Sequence, residues 1–472
     1  MELDFARLDR AFNPRCIAVV GDKGRLPWVK GQLTFKGKLY SVQINPETAK
    51  AIEALGIKNY SSLLDIPEPI DLVIISVPRK IALQILEDCI RKQVAAAHFF
   101  TAGYSETDTE EGKRLEAQLV ARAREANLYL IGPNCVGIFN PGLGVRQNPL
   151  EYSGVSGSVS FISQSGTHSI VFAAEGHFHG VDVNKAVSFG NGVVLDSPDF
   201  LEYFGQDEST KIITMYLEGV KDGRRFLSVL HRVAAKKPVI IWKGGRSRQG
   251  ERAIASHTGS LAISHTVWEA AMRQCRAISV SSMDEMIDTA KALLYLSPVR
   301  GNRVGIAGGS GGQSVAISDV FAEAGLEVPR LSPESNKEIS SFFKLVGASY
   351  SNPVDTGAAN RTETRRILEI MDRDANIDNL VLMLTPITIM GLRTQQDIEN
   401  DIGIMTEIRQ KTQKPVMVVI PYYAYNPKDT EQLGEIIQRL LKAGVPAFIN
   451  LERGARALKN ALTYYLRRDT GH

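Results

Sequence analysis

Short apolar runs recur along the chain, each followed by an amphipathic stretch. From Cys16 to Asn134 the runs are CIAVV, YSVQI, DLVIISV, AAHFF and LYLIG, separated by segments such as KIALQILEDCIRK. Runs of strand length alternating with helical periodicity predict parallel strands joined by crossover helices, hence a doubly wound α/β domain. The pattern restarts after the Gly/Ser-rich link SGVSGS, with VSFIS, VNKAVSFGN, KIITMYLEG and PVIIWKGG as strands and PDFLEYFGQD as a helix. It restarts again at Arg303, after a helix ending near Leu296 and the break Ser297-Pro298, where RVGIA, NLVLMLTP, PVMVVIP and PAFIN alternate with helices as far as Leu466. Three α/β domains are therefore expected, at residues 1–150, 151–298 and 299–472. A chain of 472 residues exceeds one core and fits about three domains of ~150 residues. The repeated strand–glycine–helix opening at residues 159 and 304 hints at a duplicated unit.

Ligands of such sheets bind at the carboxyl ends of the strands, so those ends carry the candidate chemistry. The first strand runs into Gly21-Asp22-Lys23-Gly24, whose glycines permit a tight turn, although this is not GxGxxG. Later ends read Ser76-Val77-Pro78, Thr101-Ala102-Gly103-Tyr104-Ser105-Glu106 and Gly132-Pro133-Asn134-Cys135. Each alone is an ordinary βα turn; together they line one edge of one sheet. VSFIS enters Gln164-Ser165-Gly166-Thr167 and a helix, a place where unpaired N–H groups and the helix dipole favour an anion, or where Ser165 is simply an N-cap. KIITMYLEG delivers Glu218. PVIIWKGG leads through the basic run Lys243, Arg246, Arg248 and Arg252 into the SHTGS core that carries His257, either a phosphate carrier or a solvated loop histidine. In the third unit, Gly308-Gly309-Ser310-Gly311-Gly312 allows close backbone approach, and Asn352 to Gly357 is a turn-rich loop.

Composition narrows the classes. Hydrophobic residues make up 44% and charged residues 23%, as in soluble globular proteins, and a net charge of +3 gives no whole-chain case for nucleic acid or a membrane. Cys16, Cys89, Cys135 and Cys275 are widely separated, with neither a disulfide framework nor metal-ligand spacing, so no metal site is expected. The start MELDFARLDRAF lacks an apolar signal core and no later run approaches the ~20 residues of a bilayer span. A cytoplasmic protein is expected.

In order, AFNPRCIAVVG, the SVP strand end, GPNCVGIFNP, SFISQSGT, the YLEG strand end, SHTGSLA, GGSGG and NPVDTG resemble the α subunit of NDP-forming acyl-CoA synthetases, the ADP-forming acetate–CoA ligase group related to succinyl-CoA synthetase. The resemblance covers essentially the whole chain. It implies a Rossmann-like CoA-binding domain followed by two flavodoxin-like domains, and an acid–thiol ligase in which His257 carries a phosphoryl group and Glu218 pairs with it. Ser165, Gly166 and Thr167 would hold the phosphate. Gly21, Asp22, Lys23, Gly24, Val77, Pro78, Thr101, Ala102, Gly103, Glu106, Asn134 and Cys135 would surround coenzyme A.

Two departures stand out: Gly21-Asp22-Lys23 where the family commonly has GAS, and Ile263 where it commonly has glycine. An acidic Asp22 beside CoA phosphates is unexpected. No P-loop, acidic Mg²⁺ pair or ATP-grasp module is found, so ATP or ADP and Mg²⁺ are expected on a separate ATP-grasp β subunit, in an α2β2 hetero-oligomer. Expected ligands are a small carboxylic acid, CoA and phosphate. The alternatives are a non-catalytic CoA-binding or regulatory protein, which would need neither His257 nor Glu218, and a nicotinamide-dependent oxidoreductase. The latter is disfavoured by the missing GxGxxG and by Ile44-Asn45-Pro46 in place of an acidic ribose-binding residue.

Overall fold

Most strands here are short and predominantly apolar, as suits strands covered on both faces. In the computed structural model, which describes residues 3–250, 252, 265–309, 311–344, 350–356, 359–384, 394–421 and 427–469, they build three sheets. The chain divides into two units, Met1–Met283 and Asp284–His472.

The first unit holds two sheets. Strands β1 (Cys16–Val20), β2 (Lys38–Val42), β3 (Lys58–Tyr60), β4 (Leu72–Ile75), β5 (Ala96–Phe99) and β6 (Tyr129–Ile131) pair in the order 3-2-1-4-5-6, all parallel. That is the Rossmann order, with its topological switch between β1 and β4. The expected strands form, and the half-exposed edge strand β3 joins them. Helices α1 (Phe5–Phe12), α2 (Pro27–Gly31), α3 (Pro46–Glu53), α4 (Arg79–Lys92) and α5 (Glu110–Glu125) accompany this sheet.

The second sheet contains β7 (Gly137–Phe139), β8 (Val159–Ser163), β9 (Val183–Ser188), β10 (Ile212–Leu217), β11 (Val239–Lys243) and β12 (Ile278–Val280), in the order 12-11-10-8-9-7. Without β7, the antiparallel edge, this is the flavodoxin order, and its switch lies between β8 and β10. Helices α6 (Gly166–Phe178), α7 (Ser197–Gln206) and α8 (Gly223–Ala234) pack on it. One face of each sheet enters a shared core: Ile17, Val19, Leu72 and Ile74 lie in one apolar cluster with Ile162, Met215 and Leu217. Phe12 of α1 stacks on Tyr203 of α7, ring centroids 4.6 Å apart. Both switch points are thereby set in one packed body.

In the second unit β13 (Val304–Ala307), β14 (Asn379–Met383), β15 (Val416–Ile420) and β16 (Ala447–Ile449) form a parallel sheet in sequential order. Beside β13 lies an isolated parallel bridge, Ala307 to Val354. Asn352 locks that loop: its side chain accepts from Ile306 N at 2.8 Å and donates to the Val304 and Pro329 carbonyls at 2.7 and 2.9 Å. The Asn352-Pro353 turn is therefore a structural clasp.

Candidate active site at two strand switch points

At the first switch, β1 ends at Val20 and the chain turns through Gly21, whose φ is +81°. A Cβ there would meet Val77 Cγ1 at 2.3 Å and Ser76 O at 2.9 Å, so only glycine brings the ends of β1 and β4 this close. The parted strands leave a cavity of about 540 Å³, lined among others by Gly21, Lys23, Gln43, Val77 and Pro78. Its size suits a large, partly apolar ligand. Asp22, unexpected beside phosphates, does not line it. Its side chain is buried, with Oδ2 accepting from Val29 N at 2.8 Å and Oδ1 from Lys23 N at 3.0 Å. Burial pushes its pKa up, opposed by the bond from Val29 N. The carboxylate pins the start of α2, while Lys23 is left exposed at the cavity. Gly24, also at positive φ, completes the turn.

The other candidates from the first sheet gather elsewhere on its edge. Thr101 Oγ1 donates to Val77 O at 2.8 Å and so ties this group to the cavity wall. Glu106 accepts from Gly103 N at 2.6 Å, from Tyr104 N at 3.1 Å and from Asn191 Nδ2 at 2.7 Å, shaping the Thr101–Glu106 loop and fastening it to the loop after β9. Ala102 in that loop is exposed. Asn134, at φ +60°, donates its N–H to Thr101 O at 3.1 Å. The Cys135 thiol is buried, and burial raises its pKa far above the ordinary thiol range, which makes it a packing group rather than a nucleophile. None of these six residues lines the cavity.

At the second switch the strand ends close instead of opening. Ser165 is the N-cap of α6, its side chain accepting from His168 N at 3.3 Å, with Gly166 and exposed Thr167 in the first turn. A Cβ at Gly166 would lie 3.1 Å from Val136 Cγ1, so the helix start is seated tightly. Gln164, between β8 and α6, reaches across to the end of β10: its Oε1 accepts from the backbone N–H groups of Glu218 and of Gly219, the latter at 3.0 Å. Glu218 is 8% exposed. Lys243 at the end of β11 donates Nζ to the carbonyls of Glu218 and Gly244, at 2.7 and 2.6 Å. A buried carboxylate thus stands beside a helix N-terminus whose dipole favours negative charge on a ligand.

Two contributors escaped sequence reasoning, Tyr216 and His168. The Tyr216 hydroxyl is 3.4 Å from Glu218 Oε1, and the His168 ring lies against Tyr216 and Trp242 with centroids 4.3 and 4.9 Å away. Burial lowers the pKa of His168, against the pull of Glu218's charge, so its imidazole is neutral near pH 7. Alternation was the available signal for Tyr216, since residues two apart in a strand share a face. Gln164 and Lys243 were visible only as part of a helix start and a basic run. His257 and the SHTGS core lie outside the described residues.

Two domain families match the two sheets of the first unit. Residues 15–141 match the CoA binding domain family, and residues 156–293 match the succinyl-CoA ligase like flavodoxin domain. The α subunit of the ADP-forming acetate–CoA ligase II of Pyrococcus furiosus is 36% identical over 95% of this chain and 96% of its own length. The ADP-forming acetate–CoA ligase I of Archaeoglobus fulgidus is 37% identical over 80% of this chain but only 55% of its own length. Among solved structures, the dinucleotide-forming acetyl-coenzyme A synthetase 1 of Ca. Korarchaeum cryptofilum, in complex with phosphate and ADP, superposes with a TM-score of 0.83 at 30% identity, over 98% of this chain and 97% of that one. The chain belongs to the α subunits of the ADP-forming acetate–CoA ligase family, and is an acid–thiol ligase component.

Proposed function

We propose that the chain is the α subunit of an ADP-forming acyl-CoA synthetase that interconverts carboxylate, CoA and ATP with acyl-CoA, ADP and phosphate, through an acyl phosphate and a phosphorylated His257. The observation that carries this reading is the buried Glu218, set between the α6 N-terminus and the strand that leads to the SHTGS loop. A carboxylate is too poor an electrophile for a thiol, so the acid is first activated as an acyl phosphate. In the direction of acid formation, phosphate displaces CoA from the acyl carbon, and a ring nitrogen of neutral His257 then takes the phosphoryl group and releases the carboxylate. Glu218 accepts the N–H of the other ring nitrogen, fixes the tautomer and balances the phosphoimidazole's positive charge. Ser165, Gly166 and Thr167 dock the phosphoryl group at the helix N-terminus.

CoA occupies the cavity at Gly21, Lys23, Val77 and Pro78. Thr101, Ala102, Gly103, Glu106, Asn134 and Cys135 shape the wall toward the second edge, and Asp22 acts from within the turn. The domains of this reading are residues 1–150 for CoA, 151–298 for the phosphohistidine loop and 299–472 for the second flavodoxin-like domain. ATP or ADP and Mg²⁺ belong on a separate ATP-grasp β subunit in an α2β2 assembly, to which the His257 loop carries its phosphate. Relatives of which only about half the length is matched here, such as the Archaeoglobus fulgidus ligase, support that division. No helix among the described residues is long and apolar enough to cross a membrane, and a cytoplasmic location accords with the nucleotide and CoA substrates.

The test is to combine the chain with its β subunit and γ-labelled ATP and to look for acid-labile, base-stable phosphate on this chain. His257→Ala should abolish the label and Glu218→Gln should lower its yield. Label undiminished in His257→Ala would refute the phosphohistidine.

A further inference from the structure

A carboxylate that must meet one imidazole has two equivalent oxygens, and rotation about its last side-chain bond is soft and nearly two-fold. A hydrogen-bond donor on one oxygen removes that ambiguity. Tyr216 is placed to do so. It lies two residues before Glu218 on β10, on the same sheet face, and its hydroxyl is 3.4 Å from Oε1. That is at the long end for an O–H···O bond.

Three neighbours hold the phenol there. Trp242, its register partner on β11, packs edge to face with ring centroids 4.7 Å apart, and His168 from the first turn of α6 closes from above at 4.3 Å. Gly244 provides the room, since a Cβ at that position would stand 2.8 Å from the Tyr216 hydroxyl and 3.6 Å from Glu218 Cγ. Burial, and then the charge of Glu218, push the phenol well above its ordinary pKa. Tyr216 is therefore a donor to the carboxylate and never a second anion beside it.

We propose that Tyr216 is a positioning residue for Glu218, holding Oε1 through its hydroxyl so that the carboxylate keeps the one orientation in which it serves His257. This rests on the reading of Glu218 as the partner of that histidine. The ring contacts with His168 and Trp242 link the start of α6, where the phosphoryl group docks, to the orientation of the carboxylate.

The test uses the complete enzyme with its β subunit and measures phosphoenzyme formation from γ-labelled ATP in wild type, Y216F, G244A, E218Q and the Y216F/E218Q double variant, with CoA affinity and thermal midpoint in parallel. Y216F keeps the ring and loses only the hydroxyl. It should slow phosphorylation by about 10-fold with CoA affinity and midpoint unchanged, and by less than about 2-fold when E218Q is already present. G244A, which displaces the phenol, should reproduce the defect. Wild-type phosphorylation in Y216F while E218Q is impaired overturns the positioning role alone, as does a Y216F penalty that multiplies fully with that of E218Q. A Y216F defect accompanied by an equal loss of CoA binding or stability also overturns it. Wild-type phosphorylation in E218Q removes Glu218 from the mechanism, and the proposal falls with it.

Discussion

At the carboxyl edge of the first sheet the strands part around a cavity of about 540 Å³, whereas at the edge of the second the ends of β8, β10 and β11 are drawn together by Gln164, Glu218 and Lys243. Both lie at the switch point of a doubly wound sheet, where neighbouring crossovers leave in opposite directions and a crevice opens. The first crevice is bounded by a glycine turn and by small or apolar residues at the strand ends. The second is occupied by the protein's own polar groups, which on the proposed reading places donors and acceptors before the reaction. One topological feature thus serves either to accommodate a bulky ligand or to preorganise chemistry, depending on whether small or polar residues follow the strands.

Gly21→Val attacks the open edge where it is tightest. With φ at +81° and 2.3 Å from the new Cβ to Val77 Cγ1, it should cost more than ~4 kcal/mol of stability and abolish CoA binding, measured by denaturant unfolding and calorimetry. Retained CoA affinity would mean that the ligand does not depend on this turn.

His98 probes the joint between the two edges. Its buried ring donates from Nε2 to Cys135 O at 3.0 Å, and Gly137 of β7 packs on it so closely that a Cβ would lie 2.5 Å from the imidazole. Burial holds its pKa down to about 4, below the ordinary 6.5, with the bond to Cys135 a smaller opposing influence. The unfolded chain therefore binds the proton more readily, so the stability this neutral imidazole contributes is complete above about pH 6.5 and is lost as the pH falls through about 4. The loss should reach ~3 kcal/mol, and the difference between wild type and His98→Gln in unfolding experiments across that range isolates it.

Gln164→Leu breaks the closed edge. It strips the N–H groups of Glu218 and Gly219 of their acceptor, at an expected ~2 kcal/mol of stability, and lowers phosphoenzyme yield while CoA affinity stays within about 2-fold. Equal damage to CoA binding would show that the two edges do not act separately. The smallest effect is expected for Lys23→Ala, about a 10-fold weakening of CoA binding that fades at high salt, with an unchanged thermal midpoint.

The strand–helix alternation was legible along nearly the whole chain, because strands buried on both faces must be apolar throughout. Strand β3, reading KNY, was not, since an exposed edge strand needs no such run. Strand β7, reading GIF, carries nothing that says which sheet it joins; its pairing with β9 is settled by the shared core. For the site, glycines and strand-end motifs pointed to the two edges, yet they grouped residues that the fold separates. Gly21, Lys23, Val77 and Pro78 line the cavity, while Glu106, Asn134 and Cys135 support its surroundings.

What the sequence by itself determined is the order of elements, the glycine positions and the chemical types at the strand ends, since all of these follow from local periodicity and backbone freedom. Only the tertiary structure decided which way the side chains face. Asp22 turns inward because α2, starting at Pro27, brings the Val29 N–H within its reach. Tyr216 meets Glu218 because β10 alternates, Gly244 yields space and α6 lays His168 against the phenol. The contacts of Tyr216 with Gly244 and with His168 join residues tens of positions apart, and they exist only once the second sheet and its helix have packed.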